Sequence, residues 1–163
     1  MNIISTIPET FADGPGIRYA IYVSGCKHYC KGCHNPQSWD FNQGTPIEIA
    51  LPIIINEIKK NPMLTGITVT GGDPMFSLKG LRLLLSSIKE NFPEKDIWVF
   101  TGFTIEELVE MYNKGDVLVK ECLELTDTLV DGKFVMDLKE DVTFRGSSNQ
   151  RFISSPSSYL THI

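Results

Sequence analysis

Ile17-Arg18-Tyr19-Ala20-Ile21-Tyr22-Val23-Ser24-Gly25-Cys26 is a β-branched and aromatic run that stops on a glycine and a cysteine. Its residue types predict a strand over residues 17–24. Two more cysteines follow at once, in Lys27-His28-Tyr29-Cys30-Lys31-Gly32-Cys33-His34-Asn35-Pro36. The spacing is C-x3-C-x2-C, and the fourth cysteine of the chain, Cys122, is far away. Clusters of the [4Fe–4S] type are normally held by four thiolates. Three ligands on one loop leave one iron open to a small molecule. The motif therefore points to chemistry at a cluster and not only to electron storage.

Outward from this loop, strand and helix signals alternate. Strands are predicted over residues 66–70, 96–101 and 128–131, with a weaker one near 150–153. Thr45-Pro46-Ile47-Glu48 reads as a capping box opening a helix toward Lys60, with Pro52 expected to kink it or delay its start. Ser77 is placed to cap a helix whose Leu81, Leu84, Leu85 and Ile88 follow helical spacing. Thr104-Ile105-Glu106-Glu107 is a second capping box, and residues 117–125 read as helical. Residues 139–141 and 90–96 read as solvated turns, and the Ser154-Ser155-Pro156-Ser157-Ser158 run as the start of a loose tail. Alternation of this kind implies an α/β protein with a parallel sheet and right-handed crossovers. The units are too few for a complete eight-stranded barrel. A single domain over residues 1–153, built as an open, partial βα barrel with a flexible tail over 154–163, fits the length.

The unusual residues all follow strands: Gly25-Cys26, Gly71-Gly72-Asp73-Pro74, Thr101-Gly102 and Asp131-Gly132-Lys133. In parallel α/β folds, ligands bind outside the carboxyl ends of the strands. Four such ends predict one composite site on one rim. Gly71-Gly72 would let a ligand approach the main chain closely, although an ordinary turn before Ser77 uses the same residues. Asp131 and Lys133 would share a face if the strand runs through them. Side by side they could hold a zwitterion such as an amino acid, or simply form a salt bridge. Asp13-Gly14-Pro15-Gly16 is turn chemistry. Cys122, beside Val117, Leu118 and Leu125, reads as a small buried hydrophobe. His28 needs no role. His34 could complete a Cys3His zinc site with the three cysteines.

The chain has 163 residues, 42% of them hydrophobic, and a formal net charge of −5 with no basic run. That argues against nucleic acid or an anionic membrane as the main partner. No signal peptide or spanning segment is read, so a cytoplasmic protein is expected, and its cysteines read as metal ligands or free thiols.

The cysteine spacing followed by Gly-Gly-Asp-Pro resembles the radical S-adenosylmethionine enzymes. Asp13-Gly14-Pro15-Gly16-Ile17-Arg18 and Cys33-His34-Asn35-Pro36 are similar to their glycyl-radical-activating branch. Trp98-Val99-Phe100-Thr101-Gly102, Val130-Asp131-Gly132-Lys133-Phe134 and Arg145-Gly146-Ser147-Ser148-Asn149-Gln150 resemble the activators of anaerobic (class III) ribonucleoside-triphosphate reductase. The resemblance runs over residues 10–151. It implies a [4Fe–4S] cluster on Cys26, Cys30 and Cys33, with the amino and carboxylate groups of S-adenosylmethionine on the open iron. It implies Gly71, Gly72 and Asp73 about the amino group, Lys133 on the carboxylate with Asp131 orienting it or binding the cation end, and Gly32 and His34 against the adenine. An electron from a reductant such as flavodoxin would cleave the sulfonium. The resulting 5′-deoxyadenosyl radical would take hydrogen from one glycine of the large reductase subunit. Residues 145–151 would close the adenosine side or meet the partner. Action on another glycyl-radical enzyme or a small molecule is the rival within this chemistry. A zinc-stabilised interaction module is the rival outside it.

Overall fold

A computed structural model describes residues 1–162 of the chain. Its main sheet has seven strands in the order β3-β1-β2-β4-β5-β6-β9. The centre is parallel: β2 (Arg18–Val23), β4 (Gly66–Gly71), β5 (Asp96–Phe100) and β6 (Thr128–Asp131). β1 (Asn2–Thr10) and β3 (Thr45–Pro46) extend it antiparallel on one side, and β9 (Arg151–Ser154) on the other. A separate hairpin pairs β7 (Lys139–Val142) with β8 (Arg145–Ser147). Four helices complete the described fold: α1 (Ile47–Lys59), α2 (Leu78–Asn91), α3 (Ile105–Asn113) and α4 (Val117–Glu124).

The parallel strands are added in chain order without reversal. Right-handed crossovers then put every helix on the same face of the sheet. The burial pattern agrees. Tyr19, Ile21, Val23, Ile67, Val69, Ile97, Val99 and Leu129 form one cluster with the apolar stripes of all four helices. Strand alternation sends Arg18, Thr68, Thr70, Trp98 and Phe100 to the other face. No helix covers that face among the described residues. It is roofed partly by the residue 11–17 loop, whose Asp13 carbonyl accepts from Thr68 Oγ1 and whose Pro15 carbonyl accepts from Arg18. Arg18 is fully buried there, held also by Thr68, Asp96 and the Ile67 carbonyl. Burial lowers its pKa, and Asp96 opposes that shift. Phe144, from the β7–β8 hairpin, packs edge-on against Trp98.

Several expectations change. Thr45 does not cap α1. It pairs with Ile3 in β3, Pro46 becomes the N-cap, and no side-chain cap bond forms. α1 runs on through Pro52. Ser77 is the N-cap of α2, but its hydroxyl makes no cap bond. The Thr104–Glu107 capping box forms with both bonds. Lys139–Val142 is a strand and not a turn, and Lys95 is buried with its ammonium donating to the Leu64 carbonyl. The segment expected as a loose tail continues from β9 into a 3-10 turn, Pro156–His162, and its Leu160 joins the core. Ile163 lies outside the described residues. No helix among the described residues is long and apolar enough to cross a membrane.

Candidate active site

The cysteine loop is folded against its own continuation. Gly25 N–H donates to the Ser38 carbonyl at 2.7 Å, and Cys26 N–H to that of Trp39 at 3.3 Å. A turn closed by Cys33 N–H on the Cys30 carbonyl sets the last two cysteines. The loop's root is then tied to the turn after β4. Gly72 N–H donates to the Val23 carbonyl at 2.7 Å, and Asp73 N–H to that of Gly25 at 2.8 Å. This closeness explains the glycine pair. Gly71 has φ +106°, a region that favours glycine. A Cβ on Gly72 would lie 2.7 Å from the Gly25 carbonyl oxygen.

The result is one cleft of about 230 Å³ at the carboxyl ends of the parallel strands. Cys26, Cys30, Cys33, His34, Gly71, Gly72 and Asp73 all line it. Thr101, Gly102 and Gly132 line it too, so the four strand ends meet at one rim, but Asp131 and Lys133 are not part of its lining. Gly32 is not part of the lining; it lies against Met136, whose Cε would stand 2.9 Å from an added Cβ. His34 packs on Phe134, ring centroids 5.3 Å apart.

All four cysteines are free thiols. Burial pushes Cys26 up to about 11 and raises Cys30 as well. Cys122 is buried in α4 against the Leu78 carbonyl, and burial pushes its thiol to about 12. It cannot serve the cleft as a fourth ligand. The donor set is three soft sulfurs on one wall, facing a wall of bare backbone. That set fits an iron–sulfur cluster with one iron left open.

A family model described as "4Fe-4S single cluster domain" matches residues 12–153. The chain is 39% identical over 155 residues to the anaerobic ribonucleoside-triphosphate reductase-activating protein of Escherichia coli (strain K12), covering 92% of this chain and 96% of that one. It is 37% identical to the protein of that name from Pasteurella multocida (strain Pm70), covering 92% and 95%. It is 33% identical over 165 residues to the one from Enterobacteria phage T4, covering 99% of both.

The chain belongs to the anaerobic ribonucleoside-triphosphate reductase-activating protein family.

Within this reductase-activating family member, the other predicted residues fall into two groups. Asp73 is 1% exposed and already saturated. It accepts from Met75 N–H, the Thr101 hydroxyl and Gly102 N–H, and its Oδ2 lies 2.6 Å from His28 Nε2. Asp131, fully buried, accepts from Ile105 N–H and from Arg151. It does not sit beside Lys133. Gly132, at φ +100°, ends the strand, so the alternation that would align the two side chains is lost. Lys133 is exposed and lines an adjoining hollow with Thr104, Asn149 and Arg151. Its charge still reaches Cys30, whose thiol it favours as thiolate.

Sequence reasoning gave no role to His28 or Phe134, which also line the cleft, as do Gly146 and Gln150 from the segment expected to close the adenosine side or meet the partner. Gln150 holds the far wall together, accepting from Gly146 and Ser147 N–H and donating to the Gly132 carbonyl. The position of a histidine inside a cysteine loop was the available signal for His28.

Proposed function

We propose that this chain activates an anaerobic ribonucleoside-triphosphate reductase by generating a glycyl radical on its large subunit, as a radical S-adenosylmethionine oxidoreductase. The observation that carries this is the facing of three cysteines and the Gly71–Gly72 backbone across one cleft, with the fourth cysteine buried elsewhere. The relatives, reductase-activating proteins by name, point to the protein substrate. When bound, a cluster on Cys26, Cys30 and Cys33 would supply one electron to cleave S-adenosylmethionine to methionine and a 5′-deoxyadenosyl radical, which abstracts hydrogen from a glycine α-carbon.

The chain's own residues bind and orient. Backbone groups of Gly71 and Gly72 take the amino end of the ligand, with Asp73 directly behind them. Lys133 offers an ammonium to the carboxylate, and Asp131 steadies the turn from which it projects. Gly32, His34 and Phe134 offer a flat apolar edge to the adenine. Glycine suits as target because nothing on its α-carbon blocks approach. The unreversed strand order and the helix-free face support an open, partial βα barrel, a single domain whose cleft admits a protein loop. A cytoplasmic one-electron donor such as flavodoxin completes the scheme.

The test is anaerobic reconstitution with iron and sulfide, reduction, and addition of S-adenosylmethionine. Methionine and 5′-deoxyadenosine form with the wild type and not with Cys30→Ala. A glycyl-radical doublet in electron paramagnetic resonance (EPR) then appears on an added reductase. Colourless protein with tightly bound zinc would overturn the reading in favour of a Cys3His interaction module.

A further inference from the structure

His28 lies between two of the three cysteines, yet its side chain is only 6% exposed. Its ring is wedged between Phe76 and Phe103, with centroids 4.9 and 4.7 Å away. Phe76 follows β4 and Phe103 follows β5, so the ring enters a slot between two strand-end turns. Its Nε2 lies 2.6 Å from Asp73 Oδ2 at the bottom of that slot. A carboxylate only accepts, so the network assigns the proton to Nε2. The slot is cut to the ring: a Cβ on Gly102 would stand 2.5 Å from His28 Cδ2. Asp73 is shared around the same slot, receiving Thr101 Oγ1 at 2.8 Å and Gly102 N–H at 2.8 Å.

We infer that His28 is a positioning residue: pegged between the turns after β4 and β5, it fixes the cysteine loop against the Gly71–Gly72 rim, and Asp73 serves that peg and not the ligand. The physical reason is saturation. Both oxygens of Asp73 are occupied by donors of the fold, and the group is buried. Aiming an oxygen at an incoming ammonium would strand one of those donors, at a cost comparable to the bond gained. The peg also couples three chain segments: the turns after β4 and β5, already joined by the Thr101 hydroxyl on Asp73, and the root of the cysteine loop, which the backbone bonds of Gly72 and Asp73 tie to the first of them. Groups that orient metal ligands without touching the metal commonly change metal affinity or activity about tenfold or more when lost.

This inference rests on reading the three cysteines as cluster ligands. The experiment uses the full chain, reconstituted without oxygen, as wild type, His28→Leu, His28→Gln and Asp73→Asn. EPR of the reduced cluster is recorded before and after S-adenosylmethionine, together with iron per chain and the ligand's apparent Kd. His28→Leu and Asp73→Asn should alter the cluster spectrum before any ligand is added. His28→Leu should also weaken ligand binding about tenfold. His28→Gln, whose amide N–H reaches the same carboxylate, should restore both. An Asp73→Asn spectrum identical to wild type without ligand, combined with weakened binding, would overturn the inference and make Asp73 a direct ligand contact. A His28→Gln variant no better than His28→Leu would also overturn it. Wild type that assembles the cluster but cleaves no S-adenosylmethionine refutes the proposed function alone and leaves the ligand-free spectra to decide this point.

Discussion

Asp73 and Asp131 invite comparison. Each comes where a parallel strand gives way to a glycine turn, and each is buried with its oxygens taken. What they hold differs. Asp73 grips a histidine from the cysteine loop, so it ties the scaffold to the part that would carry iron. Asp131 grips the first N–H of α3 and the guanidinium of the edge strand β9, so it ties scaffold to scaffold. A carboxylate at the rim of a cleft is thus not automatically a ligand group. Burial demands that donors satisfy it, and a satisfied acid becomes an anchor. In the proposed function the groups that would meet the ligand are the backbone at Gly71–Gly72 and the exposed ammonium of Lys133.

The largest effect expected from this contrast is at the purely structural anchor. Asp131→Ala strands the buried Ile105 N–H, while Arg151 stays solvated and paired with Glu106, at about 3 kcal/mol or less. Urea unfolding measures it, and a loss under about 1 kcal/mol would show that Asp131 is spare and free to meet a ligand. Next is Gly72→Ala. Its methyl would collide with the Gly25 carbonyl, which only a shift of the backbone can relieve. We expect about 1–3 kcal/mol of destabilisation with reduced iron per chain, and unchanged iron content would weaken the account of the glycine pair. Lys133→Met sharpens the other side of the contrast. Stability should hold within about 0.5 kcal/mol, while the KM for S-adenosylmethionine rises about tenfold, or about 1.4 kcal/mol.

The smallest effect concerns Glu106, the outer partner of Arg151. Arg151 holds its carboxyl down to about 2. A depressed carboxylate stabilises the fold above its unfolded pKa of about 4.3 and loses that contribution as pH falls through its folded value. The pair is exposed, so less than about 1 kcal/mol is at stake. Thermal melts between pH 5 and about 2 should converge for wild type and Glu106→Gln. A gap that widens toward acid would contradict the assignment.

The parallel core was legible because β2, β4, β5 and β6 carry their signal locally, in β-branched runs that end on glycine or cysteine. The Thr104–Glu107 box was legible for the same reason: donor, acceptor and helix lie within four residues. β1 was not legible. It contains Pro8 and polar residues, and only pairing with β2 makes it a strand. Thr45 spells a cap, but the sheet edge claims it. The β7–β8 hairpin is built on charged residues with no apolar alternation to read. The cysteines and glycines of the site were legible as motifs. His28 was not, because its partner is forty-five residues away and chain order says nothing about slots between turns. The Asp131–Lys133 pairing failed on one glycine, whose positive φ turned the second side chain away.

The strand order has a consequence for how the molecule is made. Apart from the two-residue β3, strands join the sheet in the order in which a ribosome releases them. Each new parallel strand can dock on an edge that already exists, so assembly can proceed with synthesis. The cysteines emerge just after β2, before any rim residue exists to shield them. The slot that seats His28 is complete only once Asp73 and Thr101, both later in the chain, are in place. Arg151, clamping Asp131 from the final strand, is the closing stitch.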